Sequence, residues 1–523
     1  MAEAMSAGGR AGPWLIRGAG LAAVALFLAL VARFWHPVFG LTVFYQLDAP
    51  NDGLKITAFR ELPVYVHRDT GGYDGLYYAQ IAHDPSLRDR ELPRAMDNFS
   101  YRARRILPPA LAWLAGLGRP AGIIAAYAWL NVAAWLALAA ILWRLLAVAD
   151  ARGWVAWAGV LFSAGALGCV RLALTDLVAL TVLAGAMLAL ERGRERTGVA
   201  ALALAGLARE TSLAALGGAL AAPWFSRRNF LRAAGAVAPL AAWLAYVRWV
   251  VGPADAGWAN FTLPGAGLVE KLQAAFAALS TVADKPLAWT TLLATIALVA
   301  QAAYVVTRPR PGDRWWRVGA AFAAMLLLLG TAVWEGFPGA ATRVLLPLNL
   351  AVNVLALRAR APWAWLLAAN LTVFAGLLAL RDVPRDAREL AARSAGGASA
   401  IVRYGDGWFG REAAGRRTWL WARARGELEV EQWRRDGAPL RLRFSLRALT
   451  PRTVVLRHEG RELWRAEIGP AFSAHAVPLP AAAGRVFTLE FSCAAPPVRE
   501  SAAPGARELG FALYDLRLAP PAP

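Results

Sequence analysis

The chain has only two cysteines in 523 residues. Cys169 falls in an apolar run and Cys493 in an alternating one, so they lie far apart in the expected topology and no disulfide is predicted. No Cys-x-x-Cys pair and no His/Cys ligand spacing occurs, and a metal site is not expected. Signals for nucleic-acid recognition are missing too. The formal net charge of +20 is scattered over loops that flank apolar runs, which favours contact with anionic lipid head groups over nucleic acid. The first apolar stretch lacks a small-residue cleavage site and equally apolar segments follow it, so it is read as a retained helix.

Apolar sequence is what the chain has in abundance. It is 58% hydrophobic with a mean hydropathy of +0.41, and apolar runs recur at roughly the twenty-residue length that spans a bilayer. About eleven membrane helices are predicted on that criterion, over residues 14–35, 122–147, 154–170, 172–190, 199–208, 212–224, 230–250, 286–306, 317–334, 342–357 and 363–380. Short cytoplasmic loops carry an excess of arginine and lysine. The clusters at Arg10 and Arg17, Arg144 and Arg152, Arg192 to Arg196, Arg227 to Arg232, Arg308 to Arg317, and Arg358 and Arg360 can all lie inside on one condition. Residues 198–224 must form a hairpin of two short helices turning at Arg209-Glu210-Thr211. The N-terminus is then cytoplasmic, and the 39–105 loop, the 252–285 loop and the C-terminal region lie outside.

After Leu380 the period changes to two. Leu440, Leu442, Phe444 and Leu446 alternate with polar neighbours, as do Phe487, Leu489, Phe491 and Cys493, the pattern of half-buried strands. His458-Glu459-Gly460-Arg461 reads as a hairpin turn. The expected organisation is a polytopic α-helical membrane domain over residues 1–380, a linker over 381–400, and an extracytoplasmic antiparallel β-sandwich over 401–523. Trp408, Trp419, Trp421 and Trp433 either stack on sugars or fill the sandwich core, and core filling is the commoner fate of such residues.

The chemistry is sought in the first outer loop. Gly71-Gly72 allows a tight entry, and Asp74 is expected in the first turn of a short helix continuing to His83. Tyr73, Leu76, Tyr77 and Ile81 share a face that would lie in the membrane interface. Asp74 either caps that helix or serves as a functional carboxylate at the membrane edge. Asp97 is either a second such carboxylate or the cap of a helix starting near Tyr101. Arg102, Arg104 and Arg105 match phosphate oxygens or snorkel to head groups, and the following 106–117 run is short enough to lie in the interface. Asp176 with Arg171, Arg209 with Glu210, and Glu335 with Arg343 form three expected acid/base pairs on the outer side, either functional or mutually neutralising.

Gly72-Tyr73-Asp74-Gly75 through Ala82-His83-Asp84-Pro85, followed by Asp97-Asn98-Phe99-Ser100-Tyr101-Arg102-Ala103-Arg104-Arg105, resembles the first outer loop of the GT-C superfamily of polytopic glycosyltransferases. Leu207-Ala208-Arg209-Glu210-Thr211 is a weaker second block. A similar aspartate-containing loop occurs in the mannosyltransferases that build glycosylphosphatidylinositol anchors. The resemblance implies an enzyme of a bacterial inner membrane that uses a polyprenyl-phosphate sugar and inverts the anomeric centre, with Asp74 as general base. It further implies Asp97, Tyr78 and His83 at the acceptor, Arg102, Arg104, Arg105, Arg209 and Arg343 at the lipid phosphate, and Asp176, Glu210 and Glu335 in support. No Asp-x-Asp or Glu-x-Asp pair closes the first helix, so no cofactor and no divalent metal are expected. The expected partners are membrane lipid, the carrier-linked donor, and a glycan, lipid or protein acceptor. A transporter or lipid-carrier flippase and a non-catalytic envelope scaffold are the competing readings; neither an inverted repeat nor paired broken helices speak for the transporter.

Overall fold

The computed structural model describes residues 12–67, 71–253, 257–384, 390–393, 399–415, 417–433, 440–480, 486–503 and 505–519. Arg10 and much of the expected linker lie outside them. The chain forms two compact units, a helical one built mainly from the residues up to Val383 and a β-rich one from Pro384 onward that also takes in His36–Gly40 and Glu61–Pro63.

Among the described residues, four helices of the helical unit are long and apolar enough to cross a membrane: Pro13–Ala32, Pro120–Leu145, Arg227–Val250 and Lys285–Val306. A fifth span is formed if Ala151–Leu161 and Ala164–Arg171, bent by 40° about their junction, are taken together. At the break Ser163 caps the second segment, its hydroxyl accepting from the Ala166 N–H at 3.3 Å. Large apolar side chains remain outside: Leu21 is 72% and Trp289 54% exposed. A water-facing surface does not carry such residues along whole helices, whereas hydrocarbon accepts them.

The other expected spans are shorter or interrupted. Asp176–Glu191 and Glu195–Ala208 are single helices of 16 and 14 residues. The expected 317–334, 342–357 and 363–380 spans each divide, into Arg314–Leu328 and Thr331–Trp334, Ala341–Val344 and Leu346–Arg358, and Trp363–Ala369 and Thr372–Ala379. A twenty-residue window sees only summed hydropathy and cannot see where a backbone turns. The 252–285 loop carries the helix Ala266–Thr281.

The hairpin condition has a structural counterpart. Glu195–Ala208 runs to Arg209, and a nine-residue 3₁₀ helix, Glu210–Gly218, returns. Its far end accepts hydrogen bonds at the Gly217 and Gly218 carbonyls from Arg317 Nε at 2.6 Å and Arg314 Nη1 at 2.9 Å. Glu195 pairs with Arg228 and Arg232, while Glu191 pairs with Arg358 and accepts from the Trp315 indole. Arginine clusters distant in sequence are thereby gathered at one end of the helical unit.

Among the described residues the β-unit holds two large antiparallel sheets and a two-stranded ribbon of Val498–Arg499 with Glu508–Leu509. One runs, in spatial order, Leu390–Arg393, Ser399–Tyr404, Arg425–Trp433, Val486–Cys493, Arg452–His458 and Arg461–Ile468; the other runs Glu412–Ala414, Arg417–Ala422, Phe511–Ala519, Arg441–Arg447 and Ser473–Pro478. The expected linker thus contributes strand. Leu442, Phe444, Leu446, Leu489 and Phe491 fill a common core. At the predicted hairpin Glu459 and Gly460 take φ of 48° and 79°, the left-handed pair that a two-residue turn requires for strands of this twist. Trp421 and Trp433 are buried, Trp408 packs on the core with its indole N–H donating to the Glu427 carbonyl, and Trp419 stacks on Tyr514. Cys169 and Cys493 are free, buried thiols.

Candidate functional site

The first outer loop is tied down by its polar residues. Gln80 is wholly buried; its carbonyl accepts from the Ile56 N–H at 2.7 Å and its amide donates to the Ala95 carbonyl at 2.9 Å. Gly71 and Gly72 take positive φ, the Tyr73 N–H donates to the Gln46 carbonyl at 3.0 Å, and the helix Gly75–Ile81 begins there. Gly75 sits where a β-carbon would lie 2.6 Å from the Leu172 carbonyl oxygen. Only glycine lets the helix start so close to its neighbour, which explains the residue after the aspartate. Leu76 and Ile81, expected against lipid, are buried inside the unit. The loop packs its apolar face on protein.

Asp74 occupies the position before this helix but makes no side-chain cap. Its Oδ2 accepts from Arg102 Nη1 at 2.6 Å, and among the described residues no hydrogen bond reaches Oδ1. The other edge of Arg102 donates to both oxygens of Asp97, Nη2 at 2.8 Å and Nε at 3.2 Å. Burial pushes the Asp97 carboxyl up, but Arg102 and the Asn98 N–H outweigh it and hold the group below its ordinary value. The cap of Phe99–Arg102 is Asn98, which accepts from the Tyr101 N–H at 3.0 Å. Asp97 is left to pair.

Arg105 is buried and held by four hydrogen bonds. It donates to Glu210 through Nε at 3.1 Å and Nη2 at 3.0 Å, to the Tyr78 hydroxyl at 2.7 Å and to the Tyr101 hydroxyl at 3.0 Å. These bonds take up four of its five N–H groups and leave one on Nη1 without a partner among the described residues. Tyr101 lies at the hub, with the guanidinium carbons of Arg102, Arg104 and Arg105 at 5.6, 5.4 and 4.9 Å from its ring centroid. Sequence reasoning passed over Tyr101, although an aromatic flanked by three arginines within four positions was the available signal.

The expected acid/base pairs exchange partners. Asp176, 3% exposed, faces Arg343, whose Nη1 lies 3.3 Å from Oδ2, and Arg209, whose Nη1 lies 2.7 Å from Oδ1. The Arg209 contact is a charge contact without hydrogen-bond alignment, and Arg209 Nε and Arg343 Nε are buried with no hydrogen-bond partner. Arg171 instead donates to Gln46 Oε1 at 2.7 Å, and Glu210 belongs to Arg105. Sequence neighbours at a helix tip point apart, so the pairing is made across helices.

These groups line one cavity of about 400 Å³. Asp74, Asp97, Arg102, Arg104, Arg105, Arg209, Glu210 and Arg343 all reach its wall, together with Asn98, Tyr101, Thr211, Asn260 and apolar residues such as Met325 and Leu329. Asp176 stands behind Arg209 and Arg343. Tyr78 and His83 do not line it; Tyr78 braces Arg105, and His83 lies against Asp89 and Phe59. Glu335 lines a second cavity, of about 360 Å³, which shares Ala340 and Arg343 with the first. The cavity has two electrostatic poles. At the first, Arg102 is shared by two carboxylates, with Arg104 on the same wall, whereas at the second Arg209 and Arg343 share one carboxylate, leaving one positive charge in excess. A base belongs at the first pole and an anion at the second. Among the described residues no group of three or more His, Cys, Asp or Glu is placed to hold a metal ion.

No family model and no curated protein matches the chain. Two solved structures are similar to it. One, described as "CBM4 structure and function", is 9% identical over 23% of this chain and 86% of that one, with a TM-score of 0.16. The other, the cryo-EM structure of the arabinosyltransferase EmbB from Mycobacterium smegmatis, is 13% identical over 85% of this chain, with a TM-score of 0.32. This chain spans 62% of that chain's length. Both TM-scores are too low for either likeness to carry an argument.

Proposed function

We propose that the chain is a membrane glycosyltransferase of the GT-C type that takes a sugar from a polyprenyl-phosphate carrier and passes it to a cell-envelope acceptor on the outer face. One observation carries the reading: a single cavity joins a carboxylate with one oxygen unengaged to a pair of arginines that share a single counter-ion. Asp74 Oδ1 accepts the proton of an acceptor hydroxyl as that oxygen attacks the anomeric carbon. The bond from the anomeric carbon to the phosphate oxygen breaks, its electron pair stays on the phosphate, and Arg209 and Arg343 meet the developing charge. Arg102 holds Asp74 in place and Asp97 takes up the rest of its guanidinium. An open apolar groove lined by Ile106, Leu207, Pro239, Ala242, Trp243 and Tyr246 starts one residue beyond Arg105 and two before Arg209, a fitting bed for a prenyl tail.

The test is incubation of the purified protein with a panel of polyprenyl-phosphate sugars, following release of free lipid phosphate. The parent releases it, and Asp74→Asn lowers the rate by about 10²- to 10⁴-fold, the usual contribution of a positioned base. A folded Asp74→Asn variant with full activity would remove Asp74 from the chemistry, and no release from any donor would remove the transferase reading.

A further inference from the structure

A third cavity of the helical unit, about 280 Å³, is lined by Glu270, Lys271, Thr331, Trp334, Glu335 and Phe337 among others. Lys271 is one of only three lysines, with Lys55 and Lys285, in a chain that otherwise uses arginine for positive charge. Its side chain is buried, donates one N–H to the Gly336 carbonyl at 2.6 Å, and forms no ion pair with a described residue although two glutamates share the cavity. That leaves two of its three N–H groups without a hydrogen-bond partner among the described residues. Trp334 is 2% exposed, and its Nε1 is likewise a buried donor without a partner. Buried polar groups are ordinarily satisfied, so two unspent donors on one cavity wall mark a place for an acceptor atom that the chain does not provide.

The acceptors come with constraints. Glu270, which accepts from the Thr331 hydroxyl, and Glu335 outnumber the single ammonium, so an anion is opposed by the net charge and a cation by Lys271. An uncharged ligand whose neighbouring groups both give and accept hydrogen bonds meets carboxylates and N–H donors alike. The ring of Phe337, 49% exposed and 6.0 Å from Lys271 Nζ, offers an apolar face at the same wall. The geometry points to a binding site for one ring of a neutral saccharide, with Lys271 and Trp334 donating to its hydroxyls and Glu335 accepting from them.

Position gives the site its role. The cavity shares Glu335, Gly336 and Phe337 with the second cavity, which shares Ala340 and Arg343 with the first. Residues 331–344 therefore contribute to the walls of all three cavities. A single sugar needs only the first. The saccharide at Lys271 is a distal unit of a longer glycan whose reacting end lies at Asp74, an identification as acceptor that rests on the transferase reading, whereas the binding site itself does not.

The test measures binding of neutral tri- and tetrasaccharides of mannose, glucose, galactose or arabinose to the full chain in detergent by native mass spectrometry. At least one binds the parent. Lys271→Met and Trp334→Phe each weaken that binding roughly ten-fold or more, as loss of a hydrogen bond to a buried donor does, and Lys285→Met, at a lysine outside the three cavities, leaves it within about two-fold. Failure of every saccharide to bind overturns the inference. So does loss of binding in Asp74→Asn with Lys271→Met and Trp334→Phe unaffected, which would put the glycan in the first cavity and leave the transferase reading standing. Displacement of the bound saccharide by inorganic phosphate in the parent but not in Lys271→Met overturns it too, since the cavity would then be an anion site. The expected pattern without transfer from any donor would keep the site and sink the transferase.

Discussion

Asp176 shows how much a single buried charge decides. Its side chain is 2% exposed and, among the described residues, is the only carboxylate paired with Arg209 and with Arg343. Asp176→Asn leaves two guanidinium groups facing each other without compensation, and breaking such a buried pair costs about 3–5 kcal/mol. The variant is expected to melt well below the parent in a thermal shift assay, and equal melting would show that the two arginines have other counter-ions. Lys271 gives a pH signature. Burial pushes its ammonium down from 10.5 to about 8, so the folded chain releases a proton that the unfolded chain keeps up to 10.5. The parent therefore gains stability as the pH rises from 8 toward 10.5, while below 8 it bears the whole cost of burying the charge. Lys271→Met removes that dependence, and the difference in Tm between variant and parent shifts in the parent's favour across the same window. A difference constant from pH 7 to 10 would contradict the burial of a charged lysine.

The elements differ in how openly the sequence announces them. Arg441–Arg447 and Val486–Cys493 were legible because a strand's period of two needs only one buried face. The turn between Arg452–His458 and Arg461–Ile468 was legible because Gly460, which takes positive φ freely, falls between two apolar runs. Gly460→Ala places a β-carbon at φ 79° and is expected to cost about 1–2 kcal/mol, read as a lower midpoint in chemical denaturation. The second arm of the hairpin at Arg209 was legible in position and not in kind. Glu210–Gly218 is 3₁₀ over nine residues, longer than such turns usually run, and its carbonyls are satisfied by arginines from 314–317 that no local pattern reveals.

Over the whole molecule the arginine clusters and the cavity acids segregate. Glu191 and Glu195 collect arginines at one end of Asp176–Glu191 and Glu195–Ala208, and Asp176 and Arg209 sit at the other. Helices of 14 and 16 residues separate these ends by roughly 20–25 Å. The topology expected from the arginine bias places the first end in the cytoplasm. Gly193→Cys should react with an impermeant maleimide only after cells are opened, and Thr211→Cys, on the cavity wall, in intact spheroplasts. Both native cysteines are buried and leave the background low. Labelling in the reverse order would invert the orientation.

By itself the sequence determined that the chain is a helical, membrane-sized assembly of apolar segments followed by alternating strands, because hydropathy and period depend only on which residues follow one another. It also marked Asp74, the arginine run and the Arg209-Glu210 tip as charges that hydrocarbon would not leave idle. Tertiary structure alone decided their partners: Arg105 went to Glu210, Asp176 took both Arg209 and Arg343, and Arg102 was divided between Asp74 and Asp97. It also drew Tyr78 and His83 away from the cavity and brought Lys271 and Trp334 to another. Ion pairs and cavities form between side chains that converge in space, and a linear order of residues fixes their chemistry without fixing which of them meet.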